Sequence, residues 1–310
     1  MGLTSSTSSI LSDEHWEQPS EKHQATLYYF AGRGLADQIR WMLAASDISF
    51  TQKIIAQRSQ LLKMSERQLP FGQLPLLQID DIEIVQSQAI VRYLARRAHL
   101  QGKTEEEILT CDMIAETVRD LLGLASGAPF KRVAAKRERA KATDCTKTPE
   151  NAPGAKSSSK NEESEGSEAK VDPLRGPAEQ ALASHLTTMK EKWQFVGGRF
   201  EAILRANNKK KLTASSSSQN ASDSKKKATV FDFDPSKEYF LVGEAVTYAD
   251  VLVAHITTWF VEECGSEIVK DMPLVVHLQN QIISRPSIKQ FIQSPHFFPL
   301  GDEAYVDQVS

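Results

Sequence analysis

The sequence predicts two domains, an α/β domain of order βαβ-α-ββα over residues 25–101 and an all-helical domain over 102–300. Two observations carry this: apolar runs of period 2 alternate with runs of period 3.6 up to about residue 100, and beyond Gly102 the strand signals fade while helical spacing continues. A third is compositional. Residues 142–175 and 208–230 hold almost no large apolar side chains and read as disordered insertions between helices, because they cannot bury enough surface to offset their ordering entropy. Residues 1–24 read as a disordered tail rich in serine, threonine and acidic side chains, and 301–310 as a second tail.

The first strand is Thr26 to Phe30, closed by Ala31-Gly32-Arg33-Gly34. Leu35, Ile39, Met42 and Leu43 then mark one face of a helix, and Phe50 to Ile55 forms the next strand. A short connecting helix leads to a hairpin, Leu74 to Ile79 and Ile82 to Val85, turning at Asp80-Asp81. Ser87 to about Ala98 closes the domain as a helix, with Ser87 a good N-cap and Gln86 before it. In the second half, helices are expected over Glu105 to about Gly127, Pro177 to Ala206, Thr247 to Glu263, Leu274–Ile283 and Pro286–Gln293. Thr247 and Asp250 have capping-box spacing, flanked by a Val246–Val251 staple.

Bulk properties exclude several function classes. The 310 residues carry a formal net charge of −3, which gives no reason to expect a nucleic-acid partner. Three cysteines, Cys111, Cys145 and Cys264, are too few and too far apart for a disulfide framework or a metal knot, so no metal is expected and a reducing, cytoplasmic setting fits. No apolar run between Met1 and Gln24 suggests a signal or a membrane span. Gly2 fits the loose N-myristoylation pattern, although a polar tail that begins with glycine reads the same way. The sequon at Asn220 is inert without a secretory route. Basic residues crowd from Lys131 to Lys141, as a polyanion site or as a solvated helix end.

Leu27-Tyr28-Tyr29-Phe30, Arg33-Gly34 and Ile39-Arg40-Trp41 together resemble the opening of cytosolic glutathione transferases of the tyrosine type, nearest the sigma and alpha classes. The resemblance covers about 25–130 and 177–293. It implies a thioredoxin-like first domain that binds glutathione as co-substrate, no other cofactor, and a helical domain shaping the pocket for a hydrophobic electrophile, in a homodimer with a detoxifying role. Tyr29 then aligns with the catalytic position. A free thiol has a pKa of about 8.5, and lowering it by roughly two units needs about 2.7 kcal/mol. One charge-assisted hydrogen bond and a nearby helix N-terminus can supply that. Strand alternation sends one of Tyr28 and Tyr29 into the core and leaves the other for the site.

The resemblance further implies that Gln73-Leu74-Pro75 presents backbone groups to the cysteinyl part across a cis proline. Gln86 and Ser87 would take the γ-glutamyl carboxylate at a helix N-terminus; as plain capping, Ser87 needs no ligand. Asp120 would reach the partner subunit's glutathione, or is an exposed helix carboxylate beside Arg119. Arg33 would support the thiolate or make a structural ion pair. Leu62, Glu66 and Arg67 stand where the family places a tryptophan and a lysine around the glycine carboxylate, with Lys63 or Arg67 able to compensate. Asp80-Asp81 replaces the usual Asp-Gly turn. Phe130 and Trp259 line the second pocket or simply fill the core. Sigma-like isomerase or peroxidase activity of the prostaglandin type, and a non-enzymatic scaffold, remain alternatives. A glutaredoxin-like reductase is excluded because no cysteine follows the first strand.

Overall fold

The protein is described as a computed structural model over residues 25–64, 68–145, 176–216 and 233–309. The N-terminal tail with Gly2, the loop holding Glu66 and Arg67, and residues 146–175 and 217–232 of the insertions lie outside the described residues.

Four strands form one mixed sheet: β1 (Ala25–Tyr29), β2 (Phe50–Ile54), β3 (Leu76–Ile79) and β4 (Ile82–Val85), in the order β2-β1-β3-β4. β1 and β2 are parallel, and β3 and β4 add antiparallel beyond β1. Alternation along β1 buries Ala25, Leu27 and Tyr29 and leaves Thr26 and Tyr28 half-buried. Helix α1 (Asp37–Ala45) crosses between the strands, α2 (Arg58–Lys63) follows β2, and α3 (Ser87–Arg97) follows β4. Together with the cis Leu74–Pro75 peptide this is the βαβ-α-ββα arrangement expected from the sequence. At the hairpin turn the positive φ falls on Asp80, at 50°, a residue type that tolerates this region, and Asp80 pairs with Arg97 at 2.8 Å.

The second domain is helical throughout its described residues. Helices α4 (Glu105–Cys145) and α5 (Pro177–Ser216) run antiparallel, since Leu124 O meets His185 and Glu138 accepts from the Ala178 amide. Helix α6 (Tyr248–Cys264) is apolar on nearly all sides and forms the core of the domain, closed by α7 (Pro273–Ile283) and α8 (Pro286–Ile292). Its first turn is the expected capping box, with Asp250 accepting from the Thr247 amide at 2.8 Å and hydroxyl at 2.9 Å.

Three boundaries differ from the sequence reading. Helix α4 passes its expected end near Gly127, carries Pro129 inside it and continues to Cys145, so residues 142–145 are helical. The stretch after Pro129 is dominated by Ala, Lys, Arg and Glu, all strong helix formers. It is further held by α5, where Arg139 pairs with Glu179 and Glu138 accepts from the first α5 amides. Helix α5 likewise extends to Ser216, past the expected start of the second insertion at 208. Lastly, 301–310 is not a plain tail. Glu303–Val309 forms helix α9, whose Tyr305 and Val306 are buried against Phe30, Phe130 and Val133. Seven residues are too few to hold a helix in isolation, so only this docking makes one.

That docking also accounts for the basic run. Arg137 binds Glu303 and Asp307, each at 2.7 Å, Arg132 binds Glu263 and the Gly301 carbonyl, and Arg139 binds Glu179. The charges from Arg132 to Arg139 therefore tie α4 to α5, α6 and α9.

Candidate active site

The sheet register collects the expected site on one edge. Tyr28 of β1 sits opposite Leu76 of β3, and Leu76 sits opposite Val85 of β4. One residue further along each strand direction come Tyr29, Pro75 and Gln86, so these three lie side by side where the parallel pair ends.

Tyr29 is 5% exposed, and its Oη accepts a hydrogen bond from the Leu35 amide at 2.9 Å. The turn that delivers this amide passes through Gly34 at φ +44°, where a Cβ would fall 2.3 Å from Tyr29 Oη, so only glycine allows the close approach. The Arg40 guanidinium stands 5.9 Å from the ring centroid. Burial pushes the phenol's pKa above its ordinary value, against the Leu35 bond and the Arg40 charge. Tyr29 is therefore protonated at neutral pH and can serve as a donor.

The neighbouring tyrosine corrects one expectation. Alternation does put the two rings on opposite faces, but Tyr28 is not the packed one. Its hydroxyl donates to Gln78 Oε1 at 2.7 Å and accepts from Lys53 at 3.2 Å on the half-open face. Tyr29 is covered instead, because the turn at 33–35 closes over it.

Beside Tyr29, Leu74 and Pro75 are buried and Gln73 is exposed. Gln86, not Ser87, occupies the N-cap position of α3, with no side-chain cap bond, and Ser87 is the buried first helical residue. Gln86 holds φ 70° and ψ 110°, a sparsely populated region for a residue with a side chain. Its carbonyl still accepts from the Ile90 amide at 3.0 Å. No side-chain cap bond closes this helix end, and helix N-terminal amides left without a cap are suited to a carboxylate.

Other expected residues lie elsewhere. Arg33 is buried at the domain junction, bonded to Glu262 at 2.6 Å and to the Phe298 carbonyl at 2.7 Å, and stacked over Phe297 and Trp259. Of its two readings, the structural ion pair is the one found. Trp259 is thereby occupied by Arg33 and His255, whereas Phe130 is half-buried against Tyr305. Lys63 is exposed at the end of α2, and Asp120 is exposed on α4.

A buried polar cluster beneath Tyr29 was not anticipated. Asp37 bonds His255 of α6 at 3.1 Å and lies 3.6 Å from Arg40, while Arg40 bonds Gln52 and the Arg33 carbonyl. Burial works to raise the Asp37 pKa, yet the His255 hydrogen bond and the charges of Arg33 and Arg40 hold it below its ordinary value. Its only trace in the sequence is an aspartate three residues before an arginine on an otherwise apolar helix. Exposed Phe71, 65% accessible in the loop before Gln73, was also missed, since a lone aromatic in a loop carries no periodicity.

Comparison with known proteins agrees with this geometry. The family described as "Glutathione S-transferase, N-terminal domain" matches residues 25–96, and "Glutathione S-transferase, C-terminal domain" matches 226–295. Glutathione S-transferase alpha-4 of Rattus norvegicus is 28% identical over 285 residues, covering 91% of this chain and 95% of the relative. Glutathione S-transferase A2 of Bos taurus is 42% identical over 96 residues, 31% of this chain and 43% of the relative. Among solved structures, NaGST-2 aligns with TM-score 0.53 and 24% identity over 88% of this chain and 97% of its own. Monomeric Na-GST-3 from Necator americanus aligns with TM-score 0.55 and 20% identity over 87% and 96%. On the glutathione S-transferase domains matched over residues 25–96 and 226–295 and the relatives that span most of its length, the chain belongs to the cytosolic glutathione S-transferase family.

Proposed function

We propose that the chain conjugates the glutathione thiolate to hydrophobic electrophiles, in the cytoplasm and without a metal or further cofactor. The observation that supports this above the others is the row Tyr29–Pro75–Gln86 along one sheet edge, which offers a protonated phenol, a backbone loop and open helix amides within one tripeptide's reach. In this reading Tyr29 donates to the sulfur, and Leu74 with Gln73 receives the cysteinyl backbone. The amides from Ser87 onward, with Gln86, take the γ-glutamyl carboxylate, and Lys63 provides a cation for the glycine end. Arg33 acts indirectly, by fixing the turn that carries Leu35. The electrophile enters between Tyr29 and the helical domain, beside Phe130 and α9.

The test is retention on immobilised glutathione together with turnover of chlorodinitrobenzene. Retention without turnover of this electrophile or of peroxides and prostaglandin H2 would favour a scaffold, and turnover of the latter alone an isomerase or peroxidase.

The homodimer belongs to the same reading. Leu109 and Met113, 60% and 56% exposed, share one face of α4 with Asp120, and Phe71 projects from the loop before the site. Large apolar side chains left open around a charged residue suit a partner that would bring Asp120 to the other subunit's glutathione amine. Phe71→Glu is expected to shift the protein from dimer to monomer in sedimentation velocity at micromolar concentration, with melting temperature little changed. A wild-type chain that sediments as a monomer at every concentration would overturn this assignment.

A further inference from the structure

Three charged side chains stand on the turn and first helical residues beside Tyr29, and all three are turned inward. Arg33 faces Glu262 and the Phe298 carbonyl, Asp37 faces His255, and Arg40 faces Gln52 and the Arg33 carbonyl, each no more than 3% exposed. Along residues 32–44 Leu35 alone is exposed, at 38%, and Gly34 and Ala36 on either side of it are buried. A single leucine on a surface is ordinary. This one is fixed by the contact that holds the phenol: its amide donates to Tyr29 Oη at 2.9 Å, its carbonyl accepts from Gln38 Nε2 at 3.4 Å, and the 3-10 turn Gly34–Ala36 that carries it packs against α4. Phe30, edge-on to Tyr29 with centroids 5.3 Å apart, and Phe130 of α4 are both half-buried nearby, against the cluster formed by Val133, Tyr305 and Val306.

We propose that Leu35 determines electrophile specificity in the transferase reaction: its side chain is the apolar wall beside the sulfur, and it selects substrates whose electrophilic carbon carries an alkyl group. This rests on the conjugation reading above and names the substrate class of that same site. The backbone and side chain of Leu35 have separate tasks. Its amide holds the phenol, a bond that any residue except proline keeps. Its side chain gains only from an apolar neighbour. Backbone N and Cα are about 1.5 Å apart, so the 2.9 Å hydrogen bond keeps the Leu35 Cα within about 4.4 Å of Tyr29 Oη. An alkyl group on the carbon that the sulfur attacks is therefore within the leucine's reach. Each methylene that leaves water for a fully apolar surrounding is favoured by about fourfold. With Arg33, Asp37 and Arg40 all facing inward, no charged side chain of this turn keeps water at the wall.

The experiment measures kcat/KM of the full chain and three variants for α,β-unsaturated methyl ketones whose β-alkyl group lengthens from methyl to butyl. In each, the thiolate sulfur bonds the β-carbon, the C=C electron pair moves onto the carbonyl oxygen, and the enolate takes a proton from water. One wall covers about half of each methylene, worth about twofold, so over the three added methylenes the butyl-to-methyl ratio is expected to be about eightfold lower in Leu35→Ala than in the wild type. Leu35→Met keeps an apolar side chain of similar volume and is expected to keep the wild-type ratio. Tyr29→Phe is expected to slow every homologue by one common factor, because ionisation of the sulfur does not depend on the alkyl group. A Leu35→Ala ratio equal to the wild type's, or a single factor lost from all homologues, would overturn the inference while leaving Tyr29 in its role. If the wild type turns over neither these ketones nor chlorodinitrobenzene, the conjugation reading falls and this inference with it.

Discussion

Tyr29→Phe is expected to lower kcat by about 50-fold at pH 6.5 while leaving the KM for glutathione nearly unchanged. The number follows from ionisation alone: a bound thiol whose pKa returns from about 6.5 to about 8.5 is about 1% thiolate at that pH, where the wild type is about half thiolate. The deficit should shrink steadily towards pH 9, where both enzymes hold the anion. KM is expected to be spared because the phenol contributes to the ionised sulfur, whereas the proposed anchor of the tripeptide is the edge between Pro75 and Ser87. Tyr29 itself adds no alkaline limb below about pH 10, since burial raises its pKa and keeps it a donor. The substitution also removes the acceptor of the Leu35 amide, so a stability loss of about 1 kcal/mol is expected beside the kinetic effect. A variant retaining wild-type kcat across this pH range would remove the phenol from the mechanism.

The parts of this site readable in the sequence are those set by short-range rules. Alternation at Thr26–Tyr29 gave the strand, Leu74-Pro75 its neighbour, and Gln86-Ser87 the helix start, while strand register then aligned all three without any long-range information. What escaped depends on tertiary contacts. Arg33 has no sequence signal that distinguishes a thiolate partner from an ion pair, because Glu262 lies far along the chain. Helix α9 is helical only because Tyr305 and Val306 find α4 and Phe30. The same contacts converted the basic run at Lys131–Lys141 from an apparent free patch into the mooring of that helix. Ser87 as N-cap was a reasonable preference that failed because Gln86, in its unusual backbone conformation, takes the position with its carbonyl. The side chain that would ordinarily satisfy the helix end is thus missing where the anion is proposed to bind.

The largest stability effect is expected at Asp250. It is fully buried, with Oδ2 accepting from the Thr247 amide and hydroxyl and Oδ1 from the Leu241 amide at 2.8 Å. One carboxylate thereby holds the start of α6 to the loop before it, and α6 is the element on which α1, α4, α5 and α7 all pack. Asp250→Ala leaves two backbone amides and a hydroxyl without an acceptor in a water-free position. Each such group costs about 1–3 kcal/mol, less what relaxation recovers, so a loss of about 4 kcal/mol at pH 7 is expected. Urea denaturation should show it as a lower midpoint at unchanged slope. Burial pushes the carboxyl up to about 6 despite these hydrogen bonds, whereas the unfolded chain titrates near 3.9. The folded state therefore binds the proton more tightly, and this contribution is complete below about pH 4 and lost as pH rises through about 6. The wild type gives up about 3 kcal/mol across that window and the alanine variant gives up none of it, so the measured deficit should be larger at pH 5 than at pH 7. A deficit below about 1 kcal/mol, or one that grows with pH, would mean that Asp250 does not hold α6 in this way.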